Sequence, residues 1–78
     1  MAIRQFQVVL EWDAEEGVWV TYVPVLNYLS TFGDTREEAL ANTQEAILGY
    51  FEAAAKEGIA IPSEENKAEL VQIQVAVA

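Results

Sequence analysis

The stretch GDTREEALANTQEAILGYFEAAAKEGIAIP, residues Gly33 to Pro62, decides how this chain folds. Thr35 followed three residues later by Glu38 has the spacing of a capping box, in which the threonine hydroxyl accepts a hydrogen bond from a first-turn amide. At the other end, Gly58 suits a left-handed cap and Pro62 stops continuation. The stretch therefore predicts one long helix. The residues expected to shape its ends are Gly33, Asp34, Thr35, Glu38, Gly58 and Pro62.

The predicted helix carries a wide apolar surface. At about 100° per residue, its apolar residues gather on one side and its polar residues on the other. The apolar arc covers roughly 200°, about twice what one packing surface needs. We therefore expect the helix to contact more than its own sheet. The arc is centred on Leu40, Thr43, Ile47, Tyr50, Phe51 and Ala54, and it is widened by Ala39, Ala46, Leu48 and Ala55.

The length and composition indicate one small globular domain. The chain has 78 residues, of which 53% are hydrophobic and 22% charged, so it is too apolar to be disordered. A chain of this size buries only about 60 to 65% of its unfolded surface. Its stability margin is therefore thin, and we expect a homodimer or homotetramer.

The chain contains no cysteine and no histidine, which excludes disulfides, thiolate nucleophiles, imidazole metal sites and His-based triads. The absence of cysteine fits a reducing cytoplasm, and neither a signal peptide nor an apolar run of membrane-spanning length is present. The net charge of −9 argues against direct binding to nucleic acid and favours a basic partner. An alternative is that the acidity merely keeps the domain soluble. We predict no cofactor and no metal site.

The first part of the chain predicts a β-hairpin, which consists of two strands and the loop between them. Residues 3–12 alternate between apolar and other side chains, which predicts a strand, and residues 18–23 are β-branched and aromatic, which predicts a second strand ended by Pro24. Residues 13–17 are acidic and end in glycine, as in a hairpin loop of about five residues. That length places Trp12 opposite Val18, and in either register one tryptophan of the pair Trp12 and Trp19 is expected on the outer face.

The pairing with a five-residue loop divides the hairpin into two faces. The face toward the helix is expected to carry Phe6, Val8, Leu10, Trp12, Val18, Val20 and Tyr22, with Leu10 opposite Val20 and Val8 opposite Tyr22. The face pointing away is expected to carry Val9, Glu11, Trp19, Thr21 and Val23. A loop one residue shorter or longer would exchange the two sets.

The remaining segments complete an α+β fold. Residues 28–32 form a predicted third strand, residues 63–69 a loop or helical turn, and residues 70–78 a last strand with alternating apolar residues. A right-handed crossover through the helix brings this last strand parallel to the first. The prediction is a three-stranded antiparallel meander with one long helix packed on it, in the order βββαβ and the sheet order 3-2-1-4.

The same residues resemble the N-terminal domain of HicB-like antitoxins, a partial ribonuclease-H-like fold. The resemblance covers residues 3–62, and single pieces of it, such as Thr-x-x-Glu, are common helix starts. The family usually has a Gly-Cys or similar pair after the proline, where this chain has Asn27-Tyr28-Leu29. The matching residues are Gly17, Pro24, Gly33, Asp34, Thr35, Glu38, Ala39, Gly58, Ile61 and Pro62.

The resemblance implies a single HicB-like domain over residues 1–78, expected to lack a DNA-binding extension. It further implies a protein that binds and masks a small basic toxin, an mRNA-cleaving HicA-like ribonuclease, and that is not itself an enzyme. Outward aromatic, aliphatic and acidic residues are the candidates for that contact. They are Val9, Glu11, Asp13, Trp19, Val23, Asn27 and Tyr28.

Two other functions stay open from the sequence. The domain could be an orphan that only associates with itself. Alternatively, Glu11, Asp13 and Asp34 could hold divalent metal ions as in ribonuclease-H-like hydrolases, although no basic residue lies nearby to bind a phosphate.

Overall fold

The computed structural model describes residues 4–60 and 69–77. Within them the elements are β1 (Val9–Asp13), β2 (Val18–Val23), the 3₁₀ turn η1 (Pro24–Leu26), β3 (Leu29–Gly33) and α1 (Arg36–Glu57). The strands form an antiparallel meander in the order β1-β2-β3. The predicted α+β meander with one long helix is therefore confirmed.

The hairpin register differs from the prediction by one residue. Asp13 pairs with Val18, so β1 includes Asp13 and the loop has four residues rather than five. The shorter loop arises because Asp13 Oδ1 accepts hydrogen bonds from the amides of Glu15 (3.1 Å) and Glu16 (3.2 Å), while its carbonyl accepts from Gly17 (2.8 Å). Gly17 closes the turn with φ 68°, where glycine is not strained.

This shift exchanges the two faces of β2. Trp12 pairs directly with Trp19, their rings 5.4 Å apart, so both tryptophans lie on the same side of the sheet. The prediction that one of them faces outward is wrong. The side toward α1, the helix face, consists of Leu10, Trp12, Trp19, Thr21, Val23, Leu29, Thr31 and Gly33.

Three threonines join the helix to the sheet. Thr21 of β2, Thr31 of β3 and Thr43 of α1 are mutually hydrogen-bonded through their hydroxyls, with Thr31 2.8 Å from each of the other two. Thr43 also donates to the Ala39 carbonyl at 2.8 Å. Among the described residues, every buried side-chain nitrogen and oxygen has a hydrogen-bond partner. Because the hydroxyls of the cluster bond across β2, β3 and α1, they hold the helix in one position on the sheet.

The caps of α1 follow the sequence prediction. Thr35 is the N-cap and its hydroxyl accepts from the Glu38 amide at 3.0 Å. Gly58 has φ 67°, and the amides of Gly58 and Ile59 both donate to the Ala54 carbonyl. Pro62 lies outside the described residues.

We expect Thr35→Ala to lower the free energy of unfolding by about 1 kcal/mol, since the first-turn amide of Glu38 loses its acceptor. Thr35→Ser keeps the hydroxyl and should stay within a few tenths of a kcal/mol of the wild type. Urea denaturation followed by circular dichroism measures both, and equal losses for the two variants would contradict the capping role.

The helix is longer than the sheet on which it packs. With 22 residues it is about 33 Å long, whereas a five-residue strand spans about 17 Å. Its C-terminal half contacts the segment before β1, where Phe6 packs edge-on against Phe51 at 5.8 Å and Arg4 lies over both rings. Beyond that contact Leu48 remains 62% exposed.

Two predicted strands differ in the structure. Residues 4–8 are described but lie outside β1, which begins at Val9, and residues 1–3 lie outside the described part. Residues 69–77 form no strand and do not join the sheet, so the order 3-2-1-4 is wrong for the described residues. Of the loop predicted over residues 63–69, only residue 69 lies within the described part.

Candidate interaction surface

The side of the sheet opposite α1 is an open, mostly apolar surface, which we call the outer face. Cross-strand pairing defines its members, because paired residues share a face. One row is formed by Val9, Tyr22 and Ser30, and a second by Glu11, Val20 and Phe32. Asp13 and Val18 add a third pair at the hairpin end.

No helix of the described residues covers the outer face. The long helix lies on the other side, where it contacts β2 and β3. Phe32, the residue before the last of β3, is 65% exposed, while Val9, Val18, Val20 and Tyr22 are partly buried by their neighbours. An exposed aromatic ring beside aliphatic side chains is a typical centre for a protein contact.

Acidic residues border this surface on one side. Glu11 is exposed on β1, and Glu15 and Glu16 are exposed in the adjoining loop. The Asp13 carboxylate instead stabilises the loop, because it accepts hydrogen bonds from two loop amides. The sequence from residue 5 to residue 35 contains no basic residue that could neutralise these carboxylates. The acidic border therefore favours a partner that carries lysine or arginine.

The structure brings together only part of the predicted contact set. Val9, Glu11 and Asp13 share the outer face. Trp19 lies on the helix face beside Trp12, and Val23 is fully buried there, so neither is beside Val9 as expected.

Asn27 and Tyr28 lie at the other end of the sheet from the hairpin loop. They follow η1 in consecutive left-handed conformations, with φ 58° and 59°. Tyr28 is 65% exposed there. The strand β2 separates them from Asp13 by roughly 17 to 20 Å, so they form a separate exposed point.

The sequence reasoning missed Val18, Val20, Tyr22 and Phe32 on the outer face. A five-residue loop predicts the first three on the side facing the helix, whereas the four-residue loop puts them on the outer face. The signal that could have found them is Asp13 followed by Glu15 and Glu16, since aspartate at the start of a turn commonly binds amides two and three residues ahead.

The carboxylates considered for metal binding do not assemble a site in the part of the chain that the structure describes. No group of three acidic residues within residues 4–60 and 69–77 could hold a metal ion. In those same ranges no helix combines the length and apolar character needed to cross a bilayer.

Comparison with known families gives one match over almost the whole chain. The family described as the HicB_like antitoxin of bacterial toxin-antitoxin systems matches residues 6–75. A relative, a UPF0150 protein of Thermoplasma acidophilum, is 44% identical over 48 residues, which cover 62% of this chain and 70% of that protein. No solved structure matches the chain at a significant level.

Proposed function

The chain belongs to the HicB-like antitoxin family of bacterial toxin-antitoxin systems, and on that premise we propose that it binds and masks a small basic toxin, an mRNA-cleaving HicA-like ribonuclease. The proposal gives the chain a binding role rather than a catalytic one. It places the complex in the cytoplasm, with the antitoxin as a homodimer or homotetramer.

The observation that supports this proposal best is the open outer face with its acidic border. A cationic protein fits the carboxylates of Glu11, Glu15 and Glu16, while the exposed ring of Phe32 supplies an apolar anchor. The net charge of −9 adds long-range attraction for a basic partner and accelerates encounter. Trp12, Asn27 and Tyr28 are exposed elsewhere and could serve as secondary contacts.

The first test is whether a small basic protein encoded beside this chain arrests growth when expressed alone. Co-expression of the chain should restore growth, and the two proteins should purify as one complex. A neighbouring basic protein that neither binds the chain nor is neutralised by it would overturn the toxin-masking function. The chain would then be interpreted as an orphan self-associating domain.

We expect Phe32→Glu to weaken toxin binding about 30-fold or more, because it places a charge on the exposed aromatic anchor of the outer face, and truncation of such an anchor costs about 2 kcal/mol. Isothermal titration calorimetry measures the effect. The matched control is Leu48→Glu, which introduces the same charge at a similarly exposed leucine, 62% against 65%, on the helix side of the sheet.

Binding by the control should remain within about threefold of the wild type. Equal weakening by both substitutions would show that general charge, rather than the outer face, determines binding. No weakening by Phe32→Glu would remove the outer face from the proposal.

A further inference from the structure

The most unusual feature of the molecule is its C-terminal segment. Residues 69–77, which we call the arm, read ELVQIQVAV, with four β-branched residues at alternate positions. This spacing is typical of a strand with one buried side. The alternating residues are Val71, Ile73, Val75 and Val77, and between them stand Gln72, Gln74 and Ala76.

The arm does not bury its apolar side in its own subunit. The large apolar side chains of the arm, including Leu70, are 67% to 94% exposed, and the arm belongs to no strand of the sheet. The radius of gyration is 15.0 Å, compared with about 11.5 Å for a compact chain of this length. The largest dimension, 51 Å, is more than twice the smallest, 21 Å. A segment with the sequence pattern of a strand is therefore exposed to solvent.

The sheet has a vacant place that matches the arm. β1 is an edge strand whose outer side pairs with no strand among the described residues. On its helix face, Trp12 is 52% exposed and Leu10 is partly exposed, because α1 packs over β2 and β3. An added strand could bond to the amides and carbonyls on this edge of β1, which pair with no strand of residues 4–60 and 69–77, and would make apolar contacts on one side.

We infer that two copies of this chain exchange their arms, each arm adding as a fourth strand along the β1 edge of the other copy. Val71, Ile73, Val75 and Val77 then cover Leu10 and Trp12 of the receiving copy, and the two glutamines point to the outer-face side. A second copy is the occupant because every copy carries both the arm and the vacant edge. The two additions are therefore equivalent and close as a twofold dimer.

This arrangement also explains why the sequence pattern predicted a fourth strand that the single subunit lacks. The segment has the apolar alternation of a strand, and exchange would let it pair with β1 of the other subunit instead of its own. The inference concerns self-association only, so it stands or falls independently of the toxin.

A cross-linking experiment tests the exchange directly, because the wild-type chain has no cysteine. Glu11→Cys on β1 and Gln74→Cys on the arm are combined in one chain, and both positions are expected on the outer-face side. Equal amounts of ¹⁵N-labelled and unlabelled protein are denatured together, refolded and treated with a short bis-maleimide reagent. Mass spectrometry then separates cross-linked peptides by isotope content.

Exchange predicts cross-linked peptides that join one heavy and one light half, together with a covalent dimer on a denaturing gel. Cross-links formed only within one isotope class would show that the arm folds back onto its own β1. That result, or the absence of cross-links between these positions, would overturn the inference.

Light scattering on a pair of neighbouring substitutions supplies the second measurement. The wild type should have twice the 8.6 kDa mass of one chain, or four times if dimers pair. Ile73→Lys on the apolar side should reduce the mass to one chain, while Gln74→Lys should not. Circular dichroism checks that both variants keep the helix. A monomeric wild type, or two variants that both remain dimeric, would contradict the arm exchange.

Discussion

Gly33→Ala should lower the free energy of unfolding by about 3 kcal/mol, the upper end of the cost of overpacking by one methyl group. A Cβ built at Gly33 would lie 2.4 Å from the amide nitrogen and 2.9 Å from the Cα of Ala39. Both are backbone atoms in the first turns of α1, so no side chain can rotate away. The helix must shift from the sheet to admit the methyl group.

Such a shift also disturbs the threonine cluster, because Thr31 and Thr43 belong to the same two elements. For a domain of this size, 1 kcal/mol corresponds to about 4 to 8 °C in melting temperature. We therefore expect Gly33→Ala to melt roughly 12 to 24 °C below the wild type at equal protein concentration, as measured by circular dichroism.

Gly49→Ala is the matched control. Gly49 is exposed within α1, and a Cβ there would have no other atom within 4 Å. Because alanine is the better helix former, this variant should gain up to about 1 kcal/mol. A Gly33→Ala variant as stable as the wild type would show that α1 is not closely seated on β3.

Thr43→Val should lower the free energy of unfolding by about 2 kcal/mol, since valine matches the shape of threonine but withdraws a hydroxyl from a buried network. Thr43 loses its bonds to Thr21, Thr31 and the Ala39 carbonyl. Thr21 is fully buried, so water cannot replace the lost partner there without opening the interface between helix and sheet.

A triple variant tests whether the three threonines act as one hydrogen-bonded network or contribute independently to stability. Replacing Thr21, Thr31 and Thr43 together by valine removes every hydroxyl of the cluster at once, and removal of all partners can be nearly neutral. The triple variant should therefore lose much less than three times the loss of Thr43→Val. Additive losses in urea denaturation would contradict the cooperative cluster.

The helix was predictable from sequence because its signals are local. Capping by Thr35 and termination at Gly58 depend on residues within one or two turns, and both are present as expected. The strands at residues 18–23 and 29–33 were also found within one residue, since β-branched and aromatic runs bounded by proline and glycine leave few alternatives.

The face of β2 was not predictable with the same certainty, because it depends on one residue of loop length. The pattern of residues 18–23 is apolar on both sides, so hydrophobicity alone did not select the side facing α1. Two interactions select it: Asp13 shortens the loop, and Thr21 meets Thr43 across the core. As a result, Val20 belongs to the outer face and Trp19 does not.

Local chemistry in the chain determined the antiparallel meander, the single capped helix and the family resemblance, because each rests on spacings of a few residues. Tertiary structure alone decided which side of β2 is buried and that Gly33 and the three threonines position the helix on the sheet. It also decided that the arm lies outside the sheet of its own subunit. These depend on contacts between distant segments, for which a sequence pattern offers several arrangements of similar hydrophobic gain.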